Sequence, residues 1–280
     1  MERYFVKDKN LIVYEYKIPL KNAKKTVVYQ FSDVHLTEYD ALSSDGERAF
    51  AIYQSPRWEN MRKYYANAHR EPFEAEQKIS PIEHFKNLVS LAKTGDAFIM
   101  AGDIFDVVSG ANLRAFEGVL NGASTPYIYV CGNHEPSAEL PDGFVAKNPV
   151  QKIELDNFNI LGFNNEDRTI SKFQLDFLKE ELQKDKKVII SMHVPILCKS
   201  NCEKVESLGE YFRLNNSDST AETLEFIDTI NKNSDKILMV TCGHLHFNYE
   251  SSLDSKVPQI ISSQGITGSI NKYIIGDIYE

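Results

Sequence analysis

Five short apolar runs, each ending in metal-ligating side chains, limit what this 280-residue chain can fold into. The runs cover residues 27–31, 97–101, 127–131, 188–192 and 237–242. Directly after them come Ser32-Asp33, Gly102-Asp103, Gly132-Asn133-His134, His193 and Gly243-His244-Leu245-His246. Strands buried on both faces read as continuous apolar runs. In an open α/β sheet the loops beyond the carboxyl ends of such strands line one crevice. Asp33, His35, Asp103, Asn133, His134, His193, His244 and His246 are therefore expected to meet there. The histidine distribution agrees: five of the seven lie in these loops, and only His69 and His84 lie elsewhere.

Helical patterns separate the runs. Residues 80–93 carry Ser80 as N-cap, Pro81 in the first turn and Glu83 closing a capping box. The apolar face of that helix is Ile82, Phe85, Leu88, Val89 and Ala92. Further helices are expected over 112–120, over 171–183 with Ser171 and Gln174 as a capping box, and from Ser219 with Glu222 to about 231. A first strand is expected over 11–18, a hairpin over 150–155 and 158–163, and short antiparallel strands over 247–280. Strands alternating with helices predict an α/β fold in a single domain over 1–280. Two long segments, 37–79 and 195–218, interrupt the alternation; the first reads as a lid or cap insertion.

Charge narrows the function. Lys plus Arg is 31 and Asp plus Glu is 40, so the net charge is 31 − 40 = −9. Such a chain is not built to coat nucleic acid or anionic lipid, although metal ions can make it locally attractive to a phosphate ester. Residues 56–70 are the basic exception, with Arg57, Arg62, Lys63 and Arg70 against Glu59, beside Trp58, Tyr64, Tyr65 and His69. An arginine there would meet phosphate and an aromatic ring would stack on a base or sugar, so Arg57, Arg62 and Trp58 are the expected substrate contacts. The alternative is an amphipathic helix packing its rings on the core. No apolar run approaches the ~20 residues of a membrane span, residues 1–20 lack a signal-peptide core, and four cysteines are too few for a disulfide scaffold. A cytoplasmic location is expected.

Carboxylate, imidazole and amide donors without thiolates suit dications such as Mn, Fe, Zn, Co or Ni. Eight side chains are too many for one tetrahedral ion and about right for two that share a carboxylate. Asp33 and His35 are two residues apart, as are His244 and His246; in extended backbone each pair would face one side.

Asp33-Val34-His35, Gly102-Asp103-Ile104-Phe105-Asp106, Gly132-Asn133-His134-Glu135, Met192-His193 and Gly243-His244-Leu245-His246 together resemble, in order, the signature of the calcineurin-like metallophosphoesterases. The resemblance implies an αββα sandwich of two mixed sheets flanked by helices, with a dinuclear metal centre. It implies that Asp33, His35 and His246 hold one ion, that Asn133, His193 and His244 hold the other, and that Asp103 bridges them. His134 would face the substrate and Asp106 would orient His134. Two dications about 3.5–4 Å apart clamp a phosphoryl group and acidify a bridging water, whose hydroxide attacks phosphorus. The expected reaction is hydrolysis of a phosphomonoester or phosphodiester, on a small phosphoester or nucleotide in preference to long nucleic acid. The rival readings are a nuclease and a non-catalytic protein-binding scaffold of the same fold.

Overall fold

The computed structural model describes residues 1–68 and 79–277; the side chains of residues 61, 62 and 65–68 lie outside that description. Twelve strands form two six-stranded sheets among the described residues. The first contains β1 (Glu2–Val6), β2 (Leu11–Pro19), β3 (Thr26–Phe31), β4 (Ala97–Ala101), β5 (Tyr127–Val130) and β12 (Ser269–Gly276), in the order β1-β2-β12-β3-β4-β5. The second contains β6 (Val150–Glu154), β7 (Phe158–Phe163), β8 (Lys187–Ser191), β9 (Ile237–Cys242), β10 (Tyr249–Ser252) and β11 (Pro258–Ile261), in the order β10-β11-β9-β8-β7-β6.

The helices are α1 (Asp45–Ala68), α2 (Pro81–Ala92), α3 (Gly110–Leu120), α4 (Lys172–Leu182), the single turn α5 (Cys202–Val205) and α6 (Ala221–Lys232). Period-two alternation explains how they layer. In β4, Phe98 and Met100 join a cluster with Phe85, Leu88 and Phe116 of α2 and α3, while Ala97, Ile99 and Ala101 point the other way. In β8, Val188 and Ile190 pack with Leu175, Leu178 and Phe226 of α4 and α6. Ile189 meets Ile99, Ile128 and Tyr273 in the layer between the sheets. Helices on both outer faces and two sheets back to back make an αββα sandwich of mixed sheets, as expected. Among the described residues no helix is long and apolar enough to cross a membrane.

The caps of α2 and α4 form as read: Ser80 with Glu83, and Ser171 with Gln174, each make the reciprocal capping box. Three local expectations change. Helix α6 is capped by Thr220, whose hydroxyl accepts from Thr223 N, because Ser219 is engaged with Asn216. Helix α3 starts two residues early, on Ser109 as cap. Strand β1 pairs antiparallel with β2 on the sheet edge, where its exposed side chains leave little apolar signal. The C-terminal strands are not simply antiparallel. β10 pairs antiparallel with β11, but β11 runs parallel to β9, and β12 crosses to the first sheet, parallel to β2 and antiparallel to β3. Strand direction depends on the crossover path, which local patterning does not carry.

Candidate metal centre

The five strand-end loops do not leave one sheet. Those after β3, β4 and β5 leave the first sheet, and those after β8 and β9 leave the second. They meet at one rim because the sheets are tied together there. His244 N donates to Asp33 Oδ2 at 3.0 Å, and His193 Nδ1 lies 2.7 Å from Ala101 O. Within the first sheet, Asp33 N donates to Gly102 O at 2.9 Å and His134 N to Asp103 Oδ1 at 2.9 Å. Two glycines make this approach possible: a Cβ on Gly102 would fall on the His193 ring, and one on Gly132 on the Asp103 carboxylate.

The backbone at these loops is left-handed, not extended. Asp33 (φ 55°), His35 (φ 54°), Asp103 (φ 53°), His244 (φ 71°) and His246 (φ 56°) all adopt positive φ. The expectation that each pair faces one side through extended backbone is therefore wrong in its geometry, although the side chains do converge. Positive φ costs a non-glycine residue about 1 kcal/mol or more, and persists where surrounding contacts over-determine it. Here the cross-loop hydrogen bonds do so.

Three groups of donors result: Asp33, His35 and His246; His35, Asp103 and His134; and Asp103, His193 and His244. Within each group the ligand atoms lie within 4.8 Å of one another, and Asp103 belongs to two of the groups. His35 Nε2 and His246 Nε2 are 3.2 Å apart, and His193 Nε2 and His244 Nδ1 are 3.1 Å apart. Asn133 Oδ1 and Asp103 Oδ2 each stand 3.3 Å from His193 Nε2. Donors about 2.0–2.2 Å from one ion, as imidazole and carboxylate ligands are, would stand about 3 Å apart at right angles. The donor spacing fits a cation.

The electrostatics fit as well. Asp33, His35 and His193 are fully buried, and Asp103, Asp106 and His244 nearly so. Burial alone would raise the aspartates, but the facing imidazoles outweigh it and hold Asp33, Asp103 and Asp106 below the usual carboxylate range. Burial alone would lower the histidines. The carboxylates nevertheless push His193 up to about 10 and His134 up to about 9, whereas burial and the charge on His193 drive His244 down to about 3. Three buried anions thus draw positive charge onto whatever sits between them. His244 Nε2 is a buried atom without a hydrogen-bond partner, which is costly unless a cation completes it, and Asp33 Oδ1 faces His246 Nε2 at 3.1 Å.

His134 differs from its neighbours. Its side chain is 36% exposed, and its Nδ1 stands 3.1 Å from Asp106 Oδ1 and 3.2 Å from Asp106 O. It lines a cavity of about 690 Å³ with Asp103, Asn133, His244 and His246. The outer lining is Tyr64 of α1 together with Lys204, Leu208, Tyr211, Phe212 and Phe247.

The expected substrate contacts on α1 fare differently. Trp58 is buried and stacks on the His35 ring (centroids 4.3 Å, planes 18° apart), so that face is closed to a base or sugar. Arg57 is exposed, but its guanidinium donates to Gln54 Oε1 at 3.0 Å and lies over the Tyr53 ring, turned to its own helix. The Arg62 side chain, His69 and Arg70 lie outside the described residues. Tyr64 is the described α1 residue that reaches the cavity.

Several supporting residues escaped the sequence reading. Asn165 Oδ1 accepts from His193 N and Val194 N at 2.9 and 3.0 Å. It stands two residues after the end of β7, so extending the strand-end rule to that run finds it. Glu135 ties two loops together by accepting from Gly132 N and Phe105 N at 3.0 and 3.1 Å. Tyr211 and Phe212, in the second long segment, contact the His244 ring with centroids 5.9 and 5.3 Å away.

No curated protein matches the sequence. Among solved structures, a dimetal phosphatase of Danio rerio is similar at 11% identity and a TM-score of 0.56, over 86% of this chain and 88% of that one. A 5′-nucleotidase of Candida albicans is similar at 12% identity and a TM-score of 0.42, over 89% of this chain and 47% of that one, so this chain spans about half its length. At 11% identity the likeness to the Danio rerio structure concerns the fold alone. The family model for calcineurin-like phosphoesterases matches residues 26–248, and with the ordered ligand loops at one rim it establishes that this chain belongs to that family of hydrolases acting on ester bonds.

Proposed function

We propose that the protein is a dinuclear metal-dependent phosphoesterase acting on a small phosphomonoester or phosphodiester. The observation that supports this reading is the linked set of donor groups: Asp33, His35 and His246 at one end and Asp103, His193 and His244 at the other, connected by a middle group that contains both His35 and Asp103. Asp33, His35 and His246 would hold one ion, Asn133, His193 and His244 the other, and Asp103 both. The donors are oxygens and imidazole nitrogens, which suit Mn, Fe, Zn, Co or Ni. Bound there, two such ions would supply the charge that screens the phosphoryl oxygens and acidify the attacking water.

The chain's own residues do the rest. His134 donates a proton to the leaving oxygen as the P–O bond breaks and its electron pair passes to that oxygen. Asp106 keeps the Nδ1 side of the ring engaged, so that Nε2 is the nitrogen available to substrate. The buried loops keep bulk water from the ligand side, while the cavity admits the ester. One lysine, Lys204, in an otherwise mostly aromatic outer lining suits a small substrate better than a polyanion, and so does a net charge of −9. The proposed setting is cytoplasmic, a reading that four free cysteines support.

The test is metal content beside turnover. Reconstituted protein should hold two equivalents of dication and hydrolyse para-nitrophenyl phosphate or bis-para-nitrophenyl phosphate with added Mn. Fewer than two equivalents, or bound metal without turnover of either ester, would defeat the reading.

A further inference from the structure

The segment after the first ligand loop does more than border the cavity. Ala51, Gln54 and Trp58 occupy one face of α1, three and four residues apart. Ala51 and Trp58 are buried and Gln54 is half-buried. Trp58 packs flat on His35. One turn earlier, Gln54 Nε2 donates to Asp106 Oδ2 at 3.0 Å. Among the described residues Gln54 is the one non-imidazole donor on that carboxylate; the other oxygen, Oδ1, stands 3.1 Å from His134 Nδ1 and 3.7 Å from His35 Nδ1. Arg57 donates to Gln54 Oε1 at 3.0 Å. The amide orientation follows from both partners: flipped, it would set oxygen against the carboxylate and an NH₂ against the guanidinium.

We propose that Gln54 is a positioning residue for the reaction, holding the Asp106 carboxylate on His134 so that His134 is aimed at the leaving oxygen. This rests on the reading of His134 as the leaving-group acid. Asp106 has two imidazoles within reach on one oxygen. Without a donor on Oδ2, nothing but those imidazoles fixes the rotation of the carboxylate, and turning toward His35 would leave the His134 ring with the Asp106 carbonyl, 3.2 Å from Nδ1, in place of the charged oxygen. A misplaced acid costs most where the leaving group needs the proton most. The loss should therefore fall on esters of poor leaving groups, a pattern that simple loosening of α1 would not produce.

The test uses the metal-loaded full chain and a pair of esters that differ in leaving group: phenyl phosphate and para-nitrophenyl phosphate, or the corresponding diesters. A nitrophenolate departs with little help from an acid and a phenolate needs it more. Gln54→Met keeps size and helix propensity but cannot donate. It should lower kcat on the phenyl ester by about 10-fold, the usual cost of losing an outer partner of a site residue, and on the nitrophenyl ester by less than about 2-fold, with KM and metal content unchanged. Gln54→Glu also lacks the donor, keeps polarity for Arg57, and should show the same split if the Met variant folds poorly. His134→Ala is the reference and should show the larger split. An equal loss on both esters, or no loss on either, while His134→Ala still discriminates between them, overturns the role of Gln54. A His134→Ala variant that does not discriminate overturns the acid reading itself and the proposal with it.

Discussion

The two flanks of the candidate metal centre are each walled by a long segment leaving a strand-end loop, and the walls are built in opposite ways. On the side of Asp33, His35 and His246 the wall is α1. Its Trp58 is 7% exposed, lies flat on His35, and is held by the same helical face that carries Gln54 to Asp106. On the side of Asn133, His193 and His244 the wall is the segment after β8. Its Tyr211 is 50% exposed, meets His244 at a tilt, and carries the Arg168 guanidinium 4.8 Å from its ring centroid. A buried ring with a stacked partner is fixed by packing, whereas a half-exposed ring at the mouth of a 690 Å³ cavity can turn to meet a ligand. On the proposed reading, the first wall would set the geometry of its ligands and the second would meet the substrate.

That contrast is open to attack at several points. Asp103 is common to both flanks, so Asp103→Asn should erase the difference by emptying both, with loss of bound metal and a fall in turnover beyond the about 10²–10⁴-fold worth of a positioned acid; metal analysis beside a rate assay decides it. His134→Ala should retain two equivalents of metal and cut kcat by about 10²–10⁴-fold. Retained metal separates it from Asp103→Asn, and full activity would remove His134 from the chemistry.

Trp58→Ala removes a buried indole. It should weaken binding of one of the two ions by about 10–100-fold and lower the melting temperature, which metal titration followed by thermal unfolding will show. Tyr211→Ala should leave both ions bound and raise KM by about 3–10-fold, the worth of one aromatic contact. If Trp58→Ala raised KM and Tyr211→Ala lost metal, the assignment of the walls would be reversed. The smallest effect belongs to Lys204→Ala: an increase in KM of about 2–5-fold that shrinks as salt is raised, since this exposed-side charge is screened.

The family, and the meeting of the candidate ligands at one rim, were readable without coordinates. Strand ends, caps and metal-binding side chain types are local signals, and the five ordered loops placed Asp33, His35, Asp103, Asn133, His134, His193, His244 and His246 on one rim, where they are found. The helical boxes at Ser80 and Ser171 were equally local. The same reading left Trp58 and Arg57 open between substrate contact and core packing, because a basic, aromatic helix looks the same whether its rings face a ligand or a buried histidine. It also missed Gln54, whose partner lies 52 residues away.

By itself, then, the order of the residues determined which side chains would end the strands and which donor atoms they would offer, since hydrophobic runs and donor chemistry belong to each segment alone. Only the folded chain decided that those segments divide between two sheets, that five of the ligands turn left-handed to reach one another, and that α1 braces one flank while the segment after β8 lines the other. Those outcomes are set by contacts between distant elements, and no stretch of sequence holds both partners.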